Sequence, residues 1–358
     1  MKIAVLGDTH FGARNDSLIF HNFFKNFYNE VFFPYLVKNN IKYFIQVGDL
    51  FDRRKYINFN TLQLCKEYFF DKLKEYDLTM IVFPGNHDIF YKNTLKVNSL
   101  NLLLQEYKNK EIIIVDRPVD MFFGKNYEYK LALLPWICDD NDVETFEFIK
   151  NTTSQICLGH LELSGFEMYK GALHNEGMDS ALFNKFDIVL SGHYHHRSTK
   201  NNITYLGTPY EITWSDYNDP KGFHILNLEN RHLTFIENPY RIFYKIIYDD
   251  SNTDLKSLMN TDFSKYNNTY VKVVVISKNN PYWFDLFIDA IENAGAVNIQ
   301  VVDDNLNLQM VPDEDLVNEA EDTLTILKHY IDNLEMETDK SALDNLMRSL
   351  YEEALSIE

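Results

Sequence analysis

Short apolar runs alternate along the chain with stretches whose apolar residues recur every three or four positions. Five of the runs, "KIAVLGDTH", "KYFIQVGDLFD", "LTMIVFPGNHD", "SQICLGH" and "FDIVLSGHYHH", end in a polar loop that contains glycine. An apolar run bounded by turn signals predicts a buried strand. Helical spacing joins Leu18, Ile19, Phe23, Phe27, Val31 and Leu36 within residues 16–38, and Leu62, Leu64, Tyr68, Phe69 and Leu73 within residues 60–76. Strand and helix alternating in this way imply an α/β layered domain. "ITYLGTPYEIT", "GFHILNLE" and "HLTFIENP" follow as strands without helices between them, and they close the domain near residue 240.

A second, smaller pattern covers residues 241–303. Strands are expected in "RIFYKIIYD", "YVKVVVIS" and "AVNIQVV", with a short helix near 253–260. A longer helix should run from Pro281 to about Ala294, because Asn280 is a suitable N-cap, Pro281 suits the first helical position and Gly295 lies just past the end. Residues 304–319 are polar and acidic and read as a linker. Residues 320–358 then place Ala320, Leu324, Leu327, Ile331 and Leu334 on one helical face and Leu343, Leu346, Leu350 and Ala354 on another. Such a helix pair either packs on its own protein or docks to a partner protein.

Charge sharpens this division. The net charge of −19 argues at first against a nucleic-acid partner, since grip on phosphate backbones comes from Lys and Arg. Residues 1–240, however, hold 25 Lys and Arg against 30 Asp and Glu, whereas residues 312–358 hold 3 against 14. The acidity belongs mostly to the tail. Three cysteines without a CxxC pair (Cys65, Cys138 and Cys157) argue against a disulfide framework and point to a reducing compartment. "MKIAVLGDTH" has too short an apolar run for a signal peptide, and no run approaches the ~18–20 residues of a membrane span. A cytoplasmic protein is expected.

The five strand-ending loops carry metal-ligand residue types in series: Asp8 and His10, Asp49, Asn86 with His87 and Asp88, His160, then His193 and His195. In open α/β sheets, loops converge at the carboxyl ends of the strands. Two carboxylates, Asp8 and Asp49, supply −2 against the +4 of two divalent cations, which leaves room for an anionic substrate. Paired cations lower the pKa of water and clamp attacking and leaving oxygens. Mixed carboxylate, imidazole and amide donors suit manganese, iron or zinc. In a locally extended loop alternate residues share a face, so His193 and His195 can each serve one ion while His196 turns aside.

D-x-H, GD, GNHD, GH and GHxH in this order resemble the calcineurin-like metallophosphoesterases. "GHLELSG", "YLGTPYEIT" and "DPKGFHILNLE" extend the likeness to the SbcD-type, meiotic-recombination-eleven family of DNA-repair nucleases, including its compact phage-encoded members. The resemblance covers the first 240 residues; the later parts match in layout only. It implies a four-layer β-sandwich flanked by helices over 1–240, a small α+β capping domain over 241–303, and ATPase-binding helices over 320–358. It also implies two divalent cations, manganese first and magnesium second. Asp8, His10 and His195 would hold one ion and Asn86, His160 and His193 the other, with Asp49 bridging. His87 matches the histidine that stabilises the transition state or protonates the leaving oxygen, and Asp88 would support its loop. Many relatives carry histidine where this chain has Asp52.

The implied activity is exo- or endonucleolytic processing of DNA double-strand ends. The partner would be an SMC-like coiled-coil ATPase of the SbcC type, within a 2:2 complex built on a homodimer. "DRRK" places Arg53, Arg54 and Lys55 beside the bridging aspartate, either as a solvated loop or as phosphate contacts. Lys92 and Arg197 border other loops of the set. His174 and His224 read as structural or surface histidines, and His21 and His329 as exposed helical ones. "GDLFDR" is also similar to a protein-phosphatase pattern, so another phosphoesterase activity, on phosphoproteins or cyclic nucleotides, is the alternative. A scaffold with a decayed site is disfavoured because every expected ligand is present.

Overall fold

The computed structural model describes residues 1–169, 172–175 and 177–303. The linker expected over 304–319 and the helices expected over 320–358, with His329, lie outside the described residues.

Four strands, β1 (Lys2–Leu6), β2 (Tyr43–Gln46), β3 (Thr79–Val82) and β4 (Ile112–Ile114), run parallel and form the body of one sheet. The chain then builds a second sheet from β5 (Val119–Phe123), β6 (Tyr129–Leu134) and β7 (Ile156–His160). A hairpin, β8 (Phe166–Tyr169) with β9 (Ala172–His174), stands apart before β10 (Ile188–Gly192), β11 (Ser198–Lys200) and β12 (Ile203–Tyr205) complete that sheet. Finally β13 (Gly222–Asn227) and β14 (Leu233–Glu237) return to the first sheet, with β13 antiparallel to β1. The orders are β14-β13-β1-β2-β3-β4 and β11-β12-β10-β7-β6-β5.

Side-chain alternation turns these sheets into layers. On β1, Ile3 and Val5 join Ile45, Ile81, Leu131 and Leu158 in a core between the two sheets, while Ala4 and Leu6 face a second core. That second core is aromatic: Phe11, Tyr28, Phe32, Phe69 and Tyr210 pack with the helices of residues 18–38 and 59–75 over the first sheet. A third core, with Cys157, Leu134, Val189 and Ile149 of helix Asp142–Asn151, covers the outer face of the second sheet. The order helix, sheet, sheet, helix is the expected four-layer sandwich. Because both faces of each central strand are buried, those strands read as continuous apolar runs.

The helix expected over 16–38 is real but interrupted. An α-helix (Leu18–Phe27) loosens into a π-turn (Tyr28–Phe32), with the Phe33 N–H reaching Tyr28 O, before helix Phe33–Lys38 resumes. Pro34 lies at this joint; it has no N–H to give and its ring would crowd a regular turn. His21 is not exposed: it is 3% accessible, held between Thr61 Oγ1 at 2.9 Å and Tyr68 OH at 3.2 Å. Its position on the helix faces the aromatic core rather than solvent.

Strands β15 (Phe243–Asp249), β16 (Tyr270–Ser277) and β17 (Asn298–Asp303) form a separate three-stranded sheet, all parallel, with its own apolar cluster. Helix Pro281–Asn293 crosses between β16 and β17, capped by Asn280 Oδ1 on the Trp283 N–H. This module is fastened to the sandwich. Phe243 packs on Trp214 at 4.7 Å between ring centres, Lys272 lies 4.5 Å over the same Trp214 ring, and Tyr270 meets Phe20 at 5.6 Å. At the junction, buried Glu211 Oε2 accepts the N–H groups of Ile242 at 2.8 Å and Phe243 at 3.0 Å.

Burial pushes the Glu211 carboxyl up from its ordinary 4.5 to about 7, against the pull of those two N–H groups and Arg241. A raised carboxyl contributes most to stability below its unfolded pKa, and that contribution is lost as pH rises to about 7. Glu211→Gln should therefore gain on the wild type between pH 5 and pH 8 by up to about 3 kcal/mol, measured as the difference in denaturant-unfolding free energy. An equal difference at the two pH values would contradict this assignment.

Candidate metal centre

The carboxyl ends of β1, β2, β3, β7 and β10 meet at one cleft, and each delivers its loop there. Asp8 and His10 follow β1, Asp49 follows β2, and Asn86, His87 and Asp88 follow β3. His160 is the last residue of β7, in register with Gly192 at the end of β10, which leads into His193 and His195. Two sets of side chains converge: Asp8, His10 and His195, then Asp49, His160 and His193, with one ligand-type atom from each residue of a set within 4.8 Å of the others. Asn86 joins the second set, its Oδ1 lying 3.0 Å from both His160 Nε2 and His193 Nδ1. Asp49 Oδ2 faces both sets, 3.3 Å from His160 Nε2 and 3.9 Å from His10 Nε2.

Close approach explains the glycines in the motifs. A Cβ on Gly192 would stand 2.3 Å from Asp8 Oδ1, and one on Gly48 would stand 2.4 Å from His160 Nδ1. Gly48 also has φ +97°, which a side chain would strain. The ligand-type residues themselves are strained: His10, Asp49 and His193 have φ of 43°, 51° and 88°. Such conformations persist only where surrounding bonds over-determine them. Here backbone N–H groups aim at the carboxylates, His193 N–H to Asp8 Oδ2 and His87 N–H to Asp49 Oδ1, both at 2.8 Å. The left-handed turn at His193 also corrects the extended loop expected there. His193 and His195 still reach different sets, and Tyr194 turns into the third core.

Burial raises the Asp8 carboxyl and the Asp49 charge adds to it, while His160 and His10 oppose; the result is about 7. Burial would raise Asp49 as well, but the charges of His160 and His87 hold it well below the carboxylate range. Burial disfavours the charged forms of His10 and His160, yet carboxylates outweigh it and push both up to about 9: Asp52 and Asp49 for His10, Asp49 and Asp8 for His160. Burial pushes His193 and His195 well down, helped by the positive charge of His160 and His10 respectively. The cleft thus draws in positive charge and keeps two imidazoles neutral, as ligands must be.

The residues fit divalent cations. Asp8 Oδ1 is buried with no hydrogen-bond partner, and the Nε2 atoms of His10 and His195 face each other at 3.0 Å. The donors are carboxylate, imidazole and amide, without sulfur, which suits borderline to hard ions. Supporting contacts orient them, as outer partners of ligands do. His160 Nδ1 meets Val47 O at 2.8 Å, and His10 Nδ1 lies 3.3 Å from Asp52 Oδ1. The Asp88 carboxylate accepts N–H groups of Gly85, Leu50 and Phe51, which ties the Asn86 loop to the Asp49 loop.

His87 stands at the edge of both sets, its ring 4.9 Å from that of His10, with Nδ1 2.5 Å from Asp52 O. Asp52, the departure from the resembled pattern, therefore holds two histidines at once. Arg54 is half-buried; burial lowers its pKa and the Asp49 charge opposes. Arg53 is engaged with Asp16 at 3.8 Å and with Asn15 and Tyr56, while Lys55 is exposed. Lys92 is exposed and Arg197 lies 4.3 Å over the Phe235 ring. His174 Nε2 lies 3.4 Å from Glu162 Oε1, and His224 is buried. His196 is half-buried, its Nδ1 3.0 Å from Asp219 Oδ1. Sequence reasoning passed over Trp136, whose ring lies 5.1 Å from His193 and 5.8 Å from His160. Its place after the β6 run, beside β7, was the available signal.

Among the described residues, no helix is long and apolar enough to cross a membrane. The chain is 30% identical over 357 residues to exonuclease subunit 1 of Enterobacteria phage T4, covering 99% of each chain. It is 27% identical over 212 residues to the SbcD component of the SbcCD nuclease of Staphylococcus saprophyticus (52% of this chain, 55% of that one). The corresponding Staphylococcus epidermidis protein is 24% identical over 264 residues, 65% and 67% of the two chains. Residues 1–197 match the model of the calcineurin-like phosphoesterases, whose members bind two divalent metal ions, and the chain belongs to that family.

Proposed function

We propose that this chain is the nuclease subunit of a nuclease–ATPase complex, a manganese-dependent phosphodiesterase that processes DNA double-strand ends in recombination and repair. The observation that carries the reading is the pair of ligand sets sharing Asp49 with His87 at their edge. The names of the relatives, an exonuclease subunit and two components of SbcCD nucleases, support DNA as the substrate. Manganese is favoured over magnesium by the imidazole-rich donor set.

In this reading Asp8, His10 and His195 hold one cation, Asn86, His160 and His193 the other, and Asp49 both. The bound cations supply Lewis acidity that activates water and offsets phosphate charge. The Asp52 carbonyl accepts the His87 Nδ1–H, so His87 would act as the acid in its imidazolium form, giving the Nε2 proton to the leaving oxygen and keeping the one on Nδ1. Arg54 and Lys55 contact a neighbouring phosphate, and Arg53 joins them if it leaves Asp16. Asp88 keeps the two loops in register.

Residues 1–240 act as the nuclease domain and 241–303 as a cap beside the cleft. Residues 304–319 link to helices over 320–358 that dock on an SbcC-type ATPase coiled coil, and that partner supplies much of the DNA grip. A homodimer within a 2:2 assembly is supported by the apolar part of a cavity of about 260 Å³, where Tyr56, Phe59, Phe90, Val97 and Leu102 line it together with Arg53, Arg54 and Lys55. Phe59 is 91% and Leu102 67% exposed, a patch that self-association would cover. The cytoplasm is the compartment this assembly requires.

Cleavage of linear duplex DNA with Mn2+ tests the reading. His87→Ala should lower the rate by about 10²–10⁴-fold while calorimetry still finds bound metal, and Asp49→Ala should lose both. Wild-type cleavage by His87→Ala would refute the acid role. Deleting residues 320–358 should leave cleavage of simple substrates intact and abolish co-purification of the ATPase; unchanged co-purification would refute the docking role.

A further inference from the structure

Among the described residues Lys221 is the most deeply buried lysine, 2% accessible, and no part of the proposed chemistry uses it. Its ammonium donates to Asp216 Oδ1 at 2.7 Å, to Asp219 Oδ2 at 2.9 Å and to the carbonyl oxygen of His195 at 2.8 Å. All three of its donors are therefore committed. The two aspartates are equally fixed. Asp216 Oδ2 accepts the N–H groups of Ile212 and Thr213, both at 2.9 Å, and Asp219 Oδ1 meets His196 Nδ1 at 3.0 Å.

A buried charge cluster is costly for stability unless every member is satisfied, and here each one is; what the arrangement does beyond packing lies in what the third donor holds. His195 sits in a loop, outside the β-ladder, where its carbonyl would otherwise have only the Thr208 N–H, at 3.2 Å. Fixing that carbonyl from two directions sets the plane of the peptide that carries the imidazole facing His10.

We propose that Lys221 is a positioning residue for His195, with Asp216 and Asp219 as its anchors, so that the lysine tunes the affinity of one cation and leaves the other unaffected. The same short segment carries Trp214, which seats Phe243 and Lys272 of the three-stranded module. The anchors of the metal loop and the seat of that module are thus parts of one loop. The proposal rests on His195 being a ligand.

The test is Mn2+ titration of the stripped full-length protein by calorimetry, with metal-free thermal unfolding in parallel. Lys221→Met should weaken one of two ions by about 10–100-fold, the range for loss of an outer partner of a ligand, and leave the other within about twofold. Because Lys221→Met leaves buried Asp216 without a cationic partner and Asp219 with His196 alone, Lys221→Met/Asp219→Asn, which keeps the net charge of the cluster, is measured beside it and should show the same selective loss. Unchanged affinities for both ions would overturn the proposal, as would equal weakening of both with a lowered metal-free melting temperature. His195→Ala separates the two levels: if it leaves both ions bound as in the wild type, the reading of His195 as a ligand fails. If it removes one ion and the Lys221 variants remove none, only the positioning role fails.

Discussion

Two carboxylates, Asp8 and Asp49, are buried side by side at the ends of adjacent parallel strands, and most of the cleft answers that constraint. Leaving two such charges in a protein interior is unfavourable unless positive charge and hydrogen-bond donors surround them. Among the described residues, no lysine or arginine forms an ion pair with Asp8. Backbone N–H groups of His193 and His87 supply part of the compensation, at 2.8 Å each. Imidazoles supply the rest, and they would release their protons to solvent on binding metal ions. Burial, with the Asp49 charge added, pushes the Asp8 carboxyl up, while the charges of His160 and His87 hold Asp49 down.

The surrounding sandwich turns that constraint into a defined geometry. Apolar strands packed on both faces hold five loop origins at one edge, and glycines admit the ligand-type side chains where a Cβ would collide. Strain at His10, Asp49 and His193 is sustained by bonds from neighbouring loops, so no single loop carries its own conformation. The segment between β12 and β13 adds a further tie: its polar residues hold the His195 carbonyl while its aromatic ones hold the small module.

How much of this was legible in the sequence follows from how each feature is encoded. Strand-loop boundaries and metal-ligand residue types are local patterns, so the five loops, the layers and the helix capped by Asn280 could be read directly. His87, as the extra histidine of GNHD, stood out for the same reason. Partners distant in sequence could not be read: Asp52 is a lone aspartate until its carbonyl is seen against His87, and Lys221 is an ordinary lysine until His195 O is found beside it. His21 deceived because helical spacing gives a face without saying what covers it, and here two hydroxyls do. The extended loop expected at His193 failed because residue type does not report a left-handed turn at a non-glycine position.

The most direct test of the central claim is an anomalous-difference map, at the manganese edge, from crystals of the full chain grown with Mn2+. The account predicts two peaks, one among Asp8, His10 and His195, the other among Asn86, His160 and His193, with Asp49 touching both. A single peak, or two peaks of which Asp49 touches only one, would contradict it.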